Sequence, residues 1–270
     1  MTRDLMAEHV KRFGKEKPII GCLHLRALPG TPMWDRNYTI EQHIDDLRKE
    51  AQILMELGFD GAVFANEWDY PYVENIGPGA LAAYTHIVST VSRDLNIPFG
   101  VGIMNDPISA ISVAKAVGAT FCRGFFCGAQ VGNYGPIVKT PGEIFRYAKT
   151  IGADDIGVYT SFEPHNGSPL DTRTFDEIAA SLYKDVPVAG YSLNGPKKGQ
   201  PLNESNIARC KKNNPNIPIS FNNGANPQNI KEMLQYCDMV VVGTALKKDH
   251  YLYNPIDYDN AKEFIEAAKG

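Results

Sequence analysis

No stretch of the 270-residue chain holds the ~20 consecutive apolar residues that a membrane-spanning helix needs, so no span is expected. Cationic excess is missing as well. Lys and Arg number 27 against 31 Asp and Glu, a formal net charge of −4, with no polybasic run to attract nucleic acid or an anionic membrane. Nucleic acid is therefore not an expected partner. Cysteine is sparse: Cys22, Cys122, Cys127, Cys210 and Cys237 are odd in number and form no C-x-x-C pair, which speaks against a disulfide framework and a thiolate zinc site. The first residues, MTRDLMAEHVKRFGKEK, lack the apolar core of a secretory signal, so the cytoplasm is the expected location. No Pro- or Ser-rich linker interrupts the composition. A single domain over 1–270 is expected, with 1–16 as an N-terminal helical extension.

What the chain does have is a repeated alternation of short apolar runs and longer amphipathic ones. Strands are expected at 18–25, 61–65, 98–104, 120–126, 156–162, 186–193, from 217 to the turn at Gly224, and at 239–242. Helices are expected between them. Thr39 followed by Gln42 has the form of a capping box, and Ile40, Ile44, Leu47, Ala51 and Leu54 keep helical spacing up to Gly58. Eight strands alternating with eight helices, joined by right-handed crossovers, imply an α/β fold, a parallel eight-stranded (β/α)8 TIM barrel. About 250 residues is a usual size for one.

Such a barrel places its ligand at the C-terminal ends of its strands. Asp60 and Asp238 precede strands and read as structural caps, whereas His24, Asn66, Asp69, Arg123, Glu163, His165, Asn222 and Asn223 follow or end them. The last two units end in Gly224 and in Gly243-Thr244, where glycine admits close backbone approach and a helix start favours an anion, so a phosphate site is expected there. A buried strand with a tight turn is the plainer reading of the same residues.

His24 ends an otherwise apolar strand and reads either as a satisfied core histidine or as a proton carrier. Arg123, inside an apolar strand, needs an anionic partner: a ligand phosphate, or an internal salt bridge to Asp69 or Glu163. The loop Asn66-Glu67-Trp68-Asp69-Tyr70-Pro71-Tyr72 offers Asp69 as general base and Trp68 or Tyr70 as a surface for a sugar or base ring; a lid packed on its own rings is the alternative. Glu163 and His165 supply the opposing acid, or else sit on an ordinary exposed loop. Lys197-Lys198 and Lys247-Lys248 read as solvated charges that can also steer an anion. No cofactor is expected. A divalent metal on His24, Asp69, Glu163 and His165 has the right residue types but no H-E-x-x-H or similar spacing behind it.

The segments GCLHLRALPGTP at 21–32, GFDGAVFANEWDYPY at 58–72, AVGATFCR at 116–123 and DMVVVGTALKKD at 238–249 resemble, in order and spacing, the BtpA/SgcQ family of ribulose-phosphate-binding-type barrels, over nearly the whole chain. The resemblance implies a TIM barrel with a phosphate-binding end. It implies little about chemistry, the family being named for a role in photosystem I biogenesis while other members resemble sugar-operon proteins. This chain departs from the family pattern at Ala65-Asn66, at 160–165, where only His165 is kept, at Gly102 and Phe125, and at Asn222-Asn223-Gly224. His24, Asp69, Arg123, His165, Gly224 and Gly243-Thr244 are kept, which implies a divergent member with an altered substrate or reaction.

The function expected from residues and resemblance together is acid/base chemistry on a phosphorylated sugar or nucleoside-like metabolite. Isomerisation or epimerisation and glycosidic-bond cleavage both remain open. The alternatives are a non-catalytic biogenesis factor and a metabolite-binding barrel without turnover. Barrels of this kind also pair through helical faces, so a homo-oligomer is a further expectation.

Overall fold

The computed structural model describes residues 3–163, 167–195 and 202–270. Eight parallel strands close into a barrel: β1 (Ile19–His24), β2 (Gly61–Ala65), β3 (Phe99–Gly102), β4 (Phe121–Phe125), β7 (Gly157–Ser161), β9 (Gly190–Asn194), β10 (Ile219–Asn223) and β11 (Met239–Val242), which returns to β1. The expected TIM barrel is the observed one. Three further strands, β5 (Gly128–Gly132), β6 (Gly135–Lys139) and β8 (Gly167–Pro169), form a separate antiparallel sheet. It grows out of the loops after β4 and β7, over the mouth. The Gly-rich stretch CGAQVGNYGPIV at 127–138 is thus a hairpin.

Helices pack round the barrel: α2 (Ile40–Glu56), α3 (Gly77–Val91), α4 (Pro107–Val117), α5 (Pro141–Thr150), α6 (Phe175–Asp185), α7 (Asn206–Asn213), α8 (Ile230–Met233) and α9 (Tyr258–Lys269). The capping box of α2 is present, with Thr39 Oγ1 accepting from the Gln42 amide and Gln42 Oε1 accepting from the Thr39 amide. The last two units differ from expectation. α8 is only four residues long, and β11 runs into two three-residue 3-10 turns, Thr244–Leu246 and Lys248–His250, before α9 begins. No described helix is long and apolar enough to cross a membrane.

At the opposite end, the first helix, α1 (Leu5–Phe13), forms the floor of the barrel. Phe13 stacks edge-on against Phe121 at 5.3 Å and joins Ile20, Val63, Tyr159 and Val241 in the barrel's interior cluster. His9 Nδ1 lies 2.7 Å from Tyr159 Oη, and Arg12 Nε donates to the Thr120 carbonyl at 3.0 Å. Asp60 and Asp238 cap strands as their positions imply: Asp60 accepts from the Ile19 amide and Asp238 from the Ile219 amide, each at 2.9 Å.

Candidate functional site

The strand register sets the size of the mouth. His24 of β1 pairs with Ala65 of β2, and Ala65 with Gly102 of β3, so two of three neighbouring strand ends carry almost no side chain. Arg123 of β4 extends into that space, its Cγ packing near Gly102. Two cavities result. One, of about 170 Å3, lies under the β5–β6–β8 sheet; the other, of about 580 Å3, lies over β1, β10 and β11. Both are lined by Glu67, Met104, Arg123, Asn222 and Asn223, so they are two lobes of one mouth divided by a polar wall.

His24 faces the larger lobe. Its Nδ1 is buried without a hydrogen-bond partner among the described residues. Burial, reinforced by the cations of Lys247 and Arg123, holds its pKa well below the ordinary histidine value. At neutral pH the ring is an uncharged imidazole, able to donate or accept a hydrogen bond. The ring rests on Gly243, where an added methyl group would come within 2.8 Å of His24 Cε1. Gly243 is therefore small because a histidine lies on it, a reason the sequence alone did not suggest.

The partner of Arg123 is Glu67, with Nη2 and Oε1 3.8 Å apart, rather than the expected Asp69 or Glu163. Tyr72 Oη donates to Glu67, 2.9 Å from its carbonyl and 3.1 Å from Oε2. Tyr72 also packs on Tyr134 of the β5–β6 turn, with ring centroids 5.1 Å apart. The wall thus connects the β2 loop, β4 and the overlying sheet. Glu67 was legible only as one of two carboxylates in its loop; loop geometry, which has no two-residue period, decides which of them turns inward.

Other expected site residues are placed differently. Asp69 and Asn66 line a small neighbouring cavity of about 70 Å3 instead of either lobe. Asp69 accepts from the Leu28 amide at 2.8 Å and from Asn66 Nδ2 at 2.9 Å, while Asn66 Oδ1 accepts from the Met104 amide at 2.8 Å. The pair ties together the loops after β1, β2 and β3. Burial pushes the Asp69 carboxyl above the usual aspartate range, against the lowering effect of those two donors. Trp68 packs edge-on against Tyr253 at 4.8 Å and lies under Arg26, so it belongs to an aromatic cluster with Tyr70 beside the mouth. Glu163 lines the smaller lobe, but both its oxygens are engaged, accepting from the Asn194 amide and from Asn206 Nδ2 at 2.9 Å each. His165, with Lys197 and Lys198, lies outside the described residues.

Gly224, Gly243 and Thr244 line one side of the larger lobe together with Asn222 and Asn223. Gly224 has a φ of +92°, a left-handed conformation that glycine adopts without strain. The helix start expected after Gly243 is absent, so the dipole of a long helix contributes nothing there. Asn222 Oδ1 accepts from Ser220 Oγ at 2.9 Å, and Asn223 Nδ2 donates to Asn194 Oδ1. Lys247, expected as a solvated charge, is 1% exposed and paired with Glu50 at 2.8 Å behind His24.

Among the described residues no group of three or more His, Cys, Asp or Glu side chains is placed to hold a metal ion. Cys22 lines the larger lobe, but burial pushes its thiol to about 11, so it is not a thiolate at neutral pH.

The BtpA family model matches residues 15–270. The chain is 30% identical over 254 residues to the sgc region protein SgcQ of Escherichia coli (strain K12), covering 94% of this chain and 95% of that protein. It is 27% identical over 258 residues to the photosystem I biogenesis protein BtpA of Synechocystis sp., covering 94% and 89%. Among solved structures, a dihydropteroate synthase from Xanthomonas albilineans superposes with a TM-score of 0.56 at 12% identity, covering 94% of this chain and 91% of that one. At that identity the likeness is one of fold.

Proposed function

The chain belongs to the BtpA family, and from the geometry of its barrel mouth we propose that it is an enzyme acting by proton transfer on a phosphorylated small metabolite. The observation that carries this reading is a single one. An uncharged His24, its buried Nδ1 unpartnered among the described residues, lines the same lobe as the Glu67–Arg123 pair and the backbone turns at Gly224 and Gly243-Thr244.

The roles follow from chemistry. The turns, with Thr244 Oγ1 and Arg123, take the anionic end. Glu67 is the carboxylate that accepts a proton from a carbon beside a carbonyl, and the neutral His24 N–H donates to the carbonyl oxygen as charge moves onto it. An enediol results. Returning the proton from Glu67 to the neighbouring carbon, with that enediol's other hydroxyl proton passing to His24 in place of the one it gave, gives isomerisation; epimerisation calls for a second acid on the opposite face of the same carbon. Glycosidic cleavage fits less well, because it calls for two carboxylates with oxygens to spare and Glu163 has both of its own engaged. Asp69 becomes a positioning residue that holds the Glu67 loop.

A second reading, a biogenesis factor without turnover, has one observation in its favour: the name of the Synechocystis relative. The test is thermal unfolding of the whole protein against phosphorylated sugars, their parents and inorganic phosphate, followed by assay of whatever binds. Ligand at ~100 Kd adds ~2.7 kcal/mol of stability. Glu67→Gln is expected to keep the stabilisation and lose turnover by about 100-fold or more. If no phosphorylated compound shifts the transition, the biogenesis reading takes its place.

A further inference from the structure

Two buried polar atoms in the lobe beneath the β5–β6–β8 sheet lack hydrogen-bond partners among the described residues: Ser192 Oγ and Gln130 Oε1. Ser192 is 2% exposed and stands on β9, in register with Ser220 of β10. Ser220 Oγ bonds to Asn222, whereas Ser192 Oγ has no partner among the described residues. Gln130 comes from the opposite side, on β5 and directly across from Ile137 of β6, so that both line the lobe from the overlying sheet. An unsatisfied buried polar group is destabilising, and native proteins keep few of them. Two on facing walls of one cavity mark a place where something polar binds.

The walls narrow the chemistry. Arg123 is already paired with Glu67, and both oxygens of Glu163 are taken up by the Asn194 amide and Asn206 Nδ2, so among the described residues the lobe offers no free cation to an anion. Gln130 Oε1 requires a donor, and the Ser192 hydroxyl either donates or accepts. The two rings at the rim, Tyr72 and Tyr134, pack on each other at 58° and leave no parallel slot for a flat base. Apolar surface from Ile137 and Phe125 suits C–H groups.

We propose that this lobe is a subsite for an uncharged, hydroxylated chain or ring, with Gln130 accepting from one hydroxyl and Ser192 exchanging a hydrogen bond with another. The inference rests on the mouth being the ligand site proposed above. It names the class as sugar or polyol phosphates: phosphate in the larger lobe, hydroxyls under the sheet, reacting carbons at the Glu67–Arg123 wall between them.

The experiment measures affinities of the full chain and of Ser192→Ala and Gln130→Leu for inorganic phosphate, glycerol 3-phosphate, the common pentose and hexose phosphates, and the free sugars. At least one sugar phosphate is expected to bind about 10-fold or more tightly than inorganic phosphate. Each variant is expected to lose about fivefold or more of that gain while its affinity for inorganic phosphate stays unchanged. Unliganded, both variants should melt at or above the wild-type temperature, since each replaces an unsatisfied polar group by an apolar one; a merely structural role would lower it. A sugar phosphate bound equally well by the variants overturns the subsite, as does a full panel with no gain over inorganic phosphate. Free sugar that binds and is lost in the variants, with phosphate failing to bind, keeps the subsite and overturns the anion end. Binding of nothing in the panel overturns both.

Discussion

The imidazole of His24 and the backbone of Gly243 are in direct contact, on adjacent strands that close the barrel: any Cβ on Gly243 would stand 2.8 Å from His24 Cε1. The only glycine of β11's end is thus a seat for the site's histidine. Gly243→Ala should displace the ring and cost about 1–3 kcal/mol through overpacking. It should also abolish turnover as completely as His24→Ala does. NMR of the His24 ring checks this: an unchanged spectrum in Gly243→Ala would remove the claim that the glycine positions the histidine.

Acidification should destabilise the fold through its histidines. His9, His24 and His43 all have folded-state pKa values below the unfolded value, His43 down to about 4 through burial and then the nearby Arg26. The native state therefore binds fewer protons than the unfolded chain once pH falls below the unfolded pKa. Stability is full above about pH 6.5 and declines as pH drops toward the folded values, each group contributing at most ~1.4 kcal/mol per pH unit. Urea unfolding at several pH values should show this slope, and His43→Gln should flatten it between about pH 6.5 and 4. An equally steep slope in the variant would mean that His43 titrates normally.

Breaking the buried Lys247–Glu50 pair should be among the costliest single changes. Glu50 also accepts from the Ile256 amide, so Lys247→Met leaves a buried carboxylate facing an apolar chain, a loss of roughly 3–5 kcal/mol. Adding Glu50→Gln removes the charge, keeps an acceptor for Ile256 and should recover most of that loss. Denaturant midpoints of the single and double variants decide it. A single variant within ~1 kcal/mol of wild type would show that the pair is solvated after all.

Asp69→Asn separates a loop anchor from a general base. The Leu28 amide donates to Oδ1 and Asn66 Nδ2 to Oδ2, and an Asn places a donor NH2 at one of those two positions, so about 1–3 kcal/mol should be lost. Substrate affinity should fall along with turnover, because the Glu67 loop loosens. A loss of kcat alone, with stability and KM untouched, would restore Asp69 to the proton-transfer step.

The barrel was legible because its strands are buried on both faces: GAVFA at β2 and MVVV at β11 stand out as apolar runs with turn residues at each end, and their observed bounds are the expected ones. The β5–β6–β8 sheet was not, because it is held by backbone pairing among glycines and exposed residues such as Val131 and Val138, and its buried stripe on β6 is only Ile137 and Lys139, too short to stand out. A two-residue turn, Asn133-Tyr134 between Gly132 and Gly135, was its one local sign. His24 and Arg123 could be picked out as polar residues at strand ends. Their partners could not. Glu67 depends on loop shape, and Glu50 reaches Lys247 from 197 positions away in sequence. Ser192 and Gln130 carry no signal of their own; what distinguishes them is a missing partner, which only three dimensions reveal.

The floor built by α1 has a consequence for traffic. With Phe13, His9 and Arg12 sealing the far end against Phe121, Tyr159 and the Thr120 carbonyl, the vessel is blind. Both lobes open at the one remaining end, so any ligand that enters at the mouth must also leave by it.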